Sequence, residues 1–220
     1  MEQQYVSQKE KNSEGEVVIK HMLTTACNRK CAYCISRNVH TKMNASLDAT
    51  RHVYAKLAKK DLRGIMFTGG EPTLRKDWWV LATLASQYWS DNVHLTTSDP
   101  DVLDWSDARA TFRSISLSIH DPEILEAIRL SHYGFHPEYY AYIMANQYSD
   151  ELAMRILDVG FDGLTVSEDQ RGTEVFDETR IPRLNALTGG SVRVNRRTHC
   201  MDETIILPDL SIVTDFRPYL

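Results

Sequence analysis

The feature that most restricts this chain is a regular alternation of short β-branched runs with helical stretches, from residue 17 to about residue 168. "EVVIKHMLTT" reads as a strand, and "LDATRHVYAKLAKKD" follows with apolar residues at helical spacing. "RGIMFTGG" is a compact apolar strand stopped by a glycine pair, and "DWWVLATLASQYWS" is a helix. "VHLTTS" is a third strand, followed by the short acidic helix "DPDVLDWSDA". "SISLSIH" alternates as a strand, and "DPEILEAIRL" opens with an Asp-Pro helix start. "YYAYIMA" is a strand, "SDELAMRILDVG" a helix capped by Ser149 and stopped by Gly160, and "FDGLTVSE" a sixth strand. Strands that alternate with helices build a parallel sheet through right-handed crossovers. Six such units predict an α/β fold, a partial (β/α)6 TIM-like barrel over residues 17–168. Residues 1–16 are expected to be a flexible N-terminal segment. Residues 169–220 are expected to be a short strand and hairpin extension packing on the barrel. Parallel βα architecture puts ligands at the C-terminal ends of the strands, so the loops after the first and second strands attract attention.

The first of these loops carries Cys27, Cys31 and Cys34 in "TTACNRKCAYCISR", with Cys200 the one cysteine elsewhere. Three readings fit Cys-x3-Cys-x2-Cys. The first is a buried helical stripe, since i, i+4 and i+7 share a face, although Asn28, Arg29 and Lys30 start such a helix badly. The second is a Cys3His zinc site completed by His40 or His21, which would make the chain a zinc-stabilised binding module. The third is an iron–sulfur cluster on three thiolates with one iron left open to a ligand. No apolar run is long enough to span a bilayer, and the polar N-terminus lacks the apolar region of a secretory signal. A reducing, cytoplasmic setting is expected, where clustered cysteines bind metal more often than they form disulfides. The formal net charge of −5 argues against broad nucleic-acid binding.

The loop resembles the signature of the radical S-adenosylmethionine (radical SAM) enzymes, Cys-x3-Cys-x-aromatic-Cys, with Tyr33 as the aromatic. That resemblance implies a [4Fe–4S] cluster on Cys27, Cys31 and Cys34, whose open iron binds the amino and carboxylate groups of SAM. Reduction then yields methionine and a 5′-deoxyadenosyl radical that abstracts a substrate hydrogen. The second loop, "FTGGEPTL", resembles the family's Gly-Gly-Glu-Pro motif at the end of the second strand. Thr68, Gly69, Gly70, Glu71 and Pro72 are thereby implied in holding the methionine end of SAM. "ISLSIHDPEILEAIRLSHYGF" is similar to the family's fourth strand and following helix. It puts Ser118 where a polar residue meets the SAM ribose and Arg129 where an arginine reaches the carboxylate. Thr97 with Ser98 after the third strand, and Asn146 after the fifth, are further pocket candidates. His120 departs from the family's usual aspartate, as a substrate contact, a proton donor or a satisfied polar residue near a strand end.

The C-terminal part reads as strands at "SVRVNRR", "ETIILPD" and "SIVTDF", the last two forming a hairpin around "PDL". Cys200 is a buried small hydrophobe on this reading, and one thiolate cannot hold a second cluster. Arg193, Arg196, Arg197 and His199 form a basic patch, either a solvated face or a grip on phosphate or carboxylate. The implied partners are a small-molecule or nucleotide-like substrate and an electron donor such as a flavodoxin or ferredoxin. The alternatives within the family are a radical-generating activase and a peptide-modifying enzyme.

Overall fold

The computed structural model describes residues 18–31, 34–39, 43–60, 62–104, 111–128, 130, 137–168, 179, 182, 191–195 and 205–214. The expectations at Tyr33, His40, Arg129, Arg196, Arg197, His199, Cys200 and residues 1–16 lie outside them. The chain divides into two compact units. One comprises residues 1–30, 34–93 and 198–220, the other residues 31–33 and 94–197.

In the first unit, β1 (Val18–Met22) pairs in parallel with β2 (Gly64–Thr68). The crossover between them contains α1 (Leu47–Leu57), which begins where Ser46 Oγ accepts from the Ala49 N–H at 3.3 Å. Thr50, Tyr54 and Leu57 recur at helical spacing and are buried. α2 (Trp78–Trp89) buries Leu81, Ala82, Leu84, Ala85 and Trp89. The Trp89 indole N–H is satisfied by the Leu62 carbonyl at 3.1 Å. The helix-facing side of β1 carries His21, wholly buried, with its Nδ1 2.7 Å from the Tyr54 hydroxyl and its ring edge-on to Phe67. Burial first, and Arg75 second, lower the His21 pKa to about 3, so this imidazole is neutral in the fold. On the other side of β1 stands β8 (Ile205–Ile206), parallel to it, and β8 forms an antiparallel hairpin with β9 (Ile212–Val213). The expected hairpin is thus present. Met22, Val39, Ile205 and Leu207 form one buried cluster, with Val213 packed against it.

In the second unit, β3 (Val93–Thr97), β4 (Ser114–Ser118), β5 (Glu138–Met144), β6 (Gly163–Ser167) and β7 (Ser191–Asn195) pair in parallel in that order. The "SVRVNRR" strand therefore continues the parallel series beyond residue 168. α3 (Asp150–Asp158) is capped by Ser149, whose Oγ accepts from the Leu152 N–H at 3.0 Å, and ends before Gly160 at φ +106°. "DPEILEAIRL" departs from expectation: residues Pro122–Glu126 form a 3-10 turn and not an α-helix. Asp121 accepts from the Glu123 N–H and the Ala127 N–H bonds to Ile124, an i+3 pattern that tightens the chain. Leu125 and, beyond the turn, Ile128 are buried, while Glu123, Glu126 and Ala127 are exposed. "DPDVLDWSDA" likewise opens as a 3-10 turn, Pro100–Asp104.

The two faces of this sheet differ. Ile115, Leu117, Tyr139, Ala141, Ile143, Leu164 and Val166 are buried on one side, which α3 helps cover. The alternating positions Ser116, Ser118, Tyr140, Tyr142 and Thr165 are half-buried.

Candidate functional site

The cysteine loop leaves β1 along a ladder that outlasts the strands. The Leu23 N–H donates to the Thr68 carbonyl at 2.9 Å, Gly70 N–H to Thr24 at 2.8 Å, and Glu71 N–H to Ala26 at 2.7 Å. Each bond ties one more residue of the outgoing stem to the Gly-Gly-Glu-Pro loop, up to the residue before Cys27. The glycines are required by this approach. At Gly69, where φ is +147°, a Cβ would stand 2.5 Å from the Thr24 carbonyl oxygen. At Gly70 it would run into the Ala26 carbonyl. What the absent side chains admit here is therefore the backbone of the cysteine stem.

The returning stem is held as well. Cys34 precedes a 3-10 turn, Ile35–Asn38, within which Ser36 Oγ donates to the Gly69 carbonyl at 3.0 Å. Val39 then enters the buried cluster of Met22, Ile205 and Leu207. Beneath the outgoing stem lies Arg75, whose guanidinium donates to the Leu23 carbonyl at 3.1 Å and the Ala45 carbonyl at 2.8 Å. Its Nε pairs with Asp77 at 2.7 Å. That hydrogen bond, more than anything else, holds the Asp77 carboxyl below its ordinary pKa. Ser36 and Arg75 escape a reading of the sequence because their partners are distant backbone carbonyls.

None of the three thiols of the loop is in a disulfide: Cys27 is exposed, and Cys31 and Cys34 are half-buried. Cys27 Sγ receives the Arg29 N–H at 3.4 Å. Three reachable thiols outside any disulfide are, by their chemistry, a donor set that fits an iron–sulfur cluster. Among the described residues, no three His, Cys, Asp or Glu side chains are gathered about a position for a single metal ion.

The other candidates occupy the C-terminal ends of their strands. Thr68 ends β2. Glu71 is buried, with Oε1 accepting from the Thr73 N–H at 3.2 Å and the Thr73 hydroxyl at 3.0 Å, and Pro72 opens the 3-10 turn behind it. In the second unit Thr97 ends β3, buried, with Oγ1 accepting from the Asp99 N–H at 3.0 Å, and Ser98 is buried beside it in sequence. Ser118 ends β4 on the half-buried face, in register with Tyr142, Thr165 and Arg193 of the next three strands. Sequence reasoning missed Tyr142 and Thr165, although their alternation with buried apolar neighbours is the available signal. Asn146 is exposed in a 3-10 turn, Ala145–Gln147. The structured amide of that turn is Gln147, whose Oε1 accepts from the Met144 N–H at 3.2 Å and whose Nε2 donates to the His120 carbonyl at 3.1 Å. The His120 ring, in turn, has Nδ1 3.8 Å from Cys31 Sγ.

Residues 22–158 match the Radical SAM superfamily. A GTP 3′,8-cyclase of Mannheimia succiniciproducens is 32% identical over 109 residues, 46% of this chain and 32% of that protein. The same enzyme of Pasteurella multocida is 30% identical over 115 residues, 48% of this chain and 34% of that protein. The chain thus spans about a third of the length of these curated relatives. Among solved structures, Streptococcus suis SuiB bound to S-adenosylmethionine has a TM-score of 0.60 at 14% identity, over 90% of this chain and 58% of SuiB. SuiB bound to its precursor peptide SuiA has a TM-score of 0.63 at 12% identity, over 90% of this chain and 59% of SuiB. These likenesses show the α/β fold of a partial barrel. With the family matched across more than half its length, the chain belongs to the radical SAM superfamily, whose enzymes work with a [4Fe–4S] cluster and S-adenosylmethionine.

Proposed function

We propose that this chain reductively cleaves S-adenosylmethionine at a [4Fe–4S] cluster ligated by Cys27, Cys31 and Cys34, and that the 5′-deoxyadenosyl radical abstracts hydrogen from an organic substrate. The observation that carries this reading is the cysteine loop, with three thiols outside any disulfide and both stems fixed to the Gly-Gly-Glu-Pro segment and the core beside it. When bound, the cluster and SAM supply the electron transfer and the radical, which no side chain can provide. The chain contributes position. Thr68, Gly69, Gly70, Glu71 and Pro72 present the loop assigned to the methionine end of SAM. Tyr33, Thr97, Ser118, Arg129 and Asn146 are the residues proposed for the rest of its pocket. An electron donor of the flavodoxin or ferredoxin class, in a reducing cytoplasm, completes the scheme.

For the substrate we favour a nucleotide. Two features support this: the identity to GTP 3′,8-cyclases over nearly half the chain, and the polar register row Ser118, Tyr142 and Thr165, continued by Arg193. Hydroxyls suit a ribose. The test is anaerobic incubation of the reduced protein with SAM and a panel of nucleoside triphosphates, GTP first, followed by chromatography of 5′-deoxyadenosine. Formation that depends on Cys31 supports SAM cleavage, and stimulation by a nucleotide supports the substrate class. Equal formation by a Cys31→Ala variant defeats the first, and no response to any nucleotide defeats the second.

A further inference from the structure

The family's chemistry leaves His120 without a part, and its surroundings give it one. It lies two residues beyond Ser118, and the ladder continues past β4 as the Ile119 N–H donates to the Tyr142 carbonyl at 2.8 Å. Strand alternation therefore keeps His120 in phase with the half-buried positions Ser116 and Ser118. Its carbonyl is clamped by Gln147 Nε2 at 3.1 Å, and Gln147 is itself fixed at the end of β5 by the Met144 N–H at 3.2 Å. The ring so held places Nδ1 3.8 Å from Cys31 Sγ, across 89 positions of sequence. A thiolate bound to iron has no proton and only accepts, so the nitrogen facing it must be the one that carries hydrogen.

We infer that His120 donates its Nδ1–H to the Cys31 thiolate and thereby sets the reduction potential of the cluster. This rests on the assignment of Cys31 as a cluster ligand. An N–H donor stabilises the more negative, reduced cluster more than the oxidised one, and hydrogen bonds to sulfur are among the determinants of cluster potential. The potential decides how readily an external donor reduces the cluster. His120 is thus a positioning residue for the electron, acting through Cys31.

The experiment is an EPR-monitored redox titration of the reconstituted full chain without substrate, comparing wild type with His120→Phe and His120→Asn. Phenylalanine keeps the ring and removes the donor, while the asparagine amide nitrogen falls near the place of Nδ1. In His120→Phe the reduced-to-oxidised ratio at a fixed potential should fall threefold to tenfold (tenfold is 59 mV for a one-electron couple). His120→Asn should recover most of that loss. An unmoved potential in His120→Phe, or equal shifts in both variants, overturns the inference. Should His120→Phe fail to hold a cluster, wild-type protein labelled with 15N-histidine decides by pulsed EPR. A histidine nitrogen coupled to the reduced cluster, and lost in His120→Asn, supports the bond, and no coupling overturns it. Iron and sulfide counts keep the two readings apart. A wild-type chain that binds no cluster removes the cluster assignment and this inference together, whereas a cluster with unmoved potential removes this inference alone.

Discussion

The Glu71 N–H donates to the Ala26 carbonyl at 2.7 Å, and so the Gly-Gly-Glu-Pro loop and the approach to Cys27 are hydrogen-bonded neighbours. The two motifs are one structural piece, and damage to either should be felt by the other.

Gly70→Val tests this coupling. Its Cβ would run into the Ala26 carbonyl, so the stem carrying Cys27 must move. Iron content after anaerobic reconstitution should fall by half or more, along with SAM affinity. Full iron content with weakened SAM binding would show that the glycine serves the ligand and not the loop. Gly69→Ala, at φ +147° and against the Thr24 carbonyl, should cost about 1–3 kcal/mol of stability in denaturant titration.

Arg75 joins the outgoing stem to the segment before α1 through the Leu23 and Ala45 carbonyls. Arg75→Met should destabilise the protein by about 2 kcal/mol by leaving those acceptors unsatisfied. The value stays modest because the Asp77 partner side chain is 43% exposed and screened by solvent. A melting temperature equal to wild type would contradict this.

The same pair fixes an acid limb. Asp77 has a depressed pKa in the fold, so its contribution is present above the unfolded carboxylate value of 3.8 and disappears as pH falls through the folded value. The stability difference between wild type and Asp77→Asn should therefore be constant near neutrality and close below about pH 4. A difference that persists unchanged in stronger acid would rule out the charge as its origin.

His21 predicts a second, earlier limb. Its folded pKa of about 3 lies below the unfolded 6.5, so protons bind the unfolded chain first as pH drops. Stability from this group is complete above 6.5 and declines towards pH 3, by about 1 kcal/mol per pH unit. Urea midpoints at several pH values between 7.5 and 4.5 should fall in wild type and flatten in His21→Gln. Parallel slopes in the two proteins would assign the acid sensitivity elsewhere.

Much of this was legible in the sequence, for local reasons. The six leading strands follow from short β-branched runs, and α3 from a serine cap and a glycine stop that act within a few residues of each other. The cysteine spacing and the glycine motif are local strings too. The reason for the glycines was not legible, because Ala26 meets Gly70 through tertiary packing. Nor could β8 be placed beside β1: two residues pair across most of the chain, and no periodicity encodes that. "DPEILEAIRL" misled because the Asp121 cap and the i+3 bonds after it close a 3-10 turn, which apolar spacing does not encode. The pairing of His120 with Cys31 is likewise a product of the fold.

The most direct measurement is the EPR spectrum of the dithionite-reduced, anaerobically prepared protein before and after addition of SAM. Ligation by Cys27, Cys31 and Cys34 alone would leave one iron open to that ligand, so the account predicts a [4Fe–4S]+ signal whose g-values change when SAM binds. A signal indifferent to saturating SAM, or no iron signal from a chain loaded with stoichiometric zinc, would contradict it.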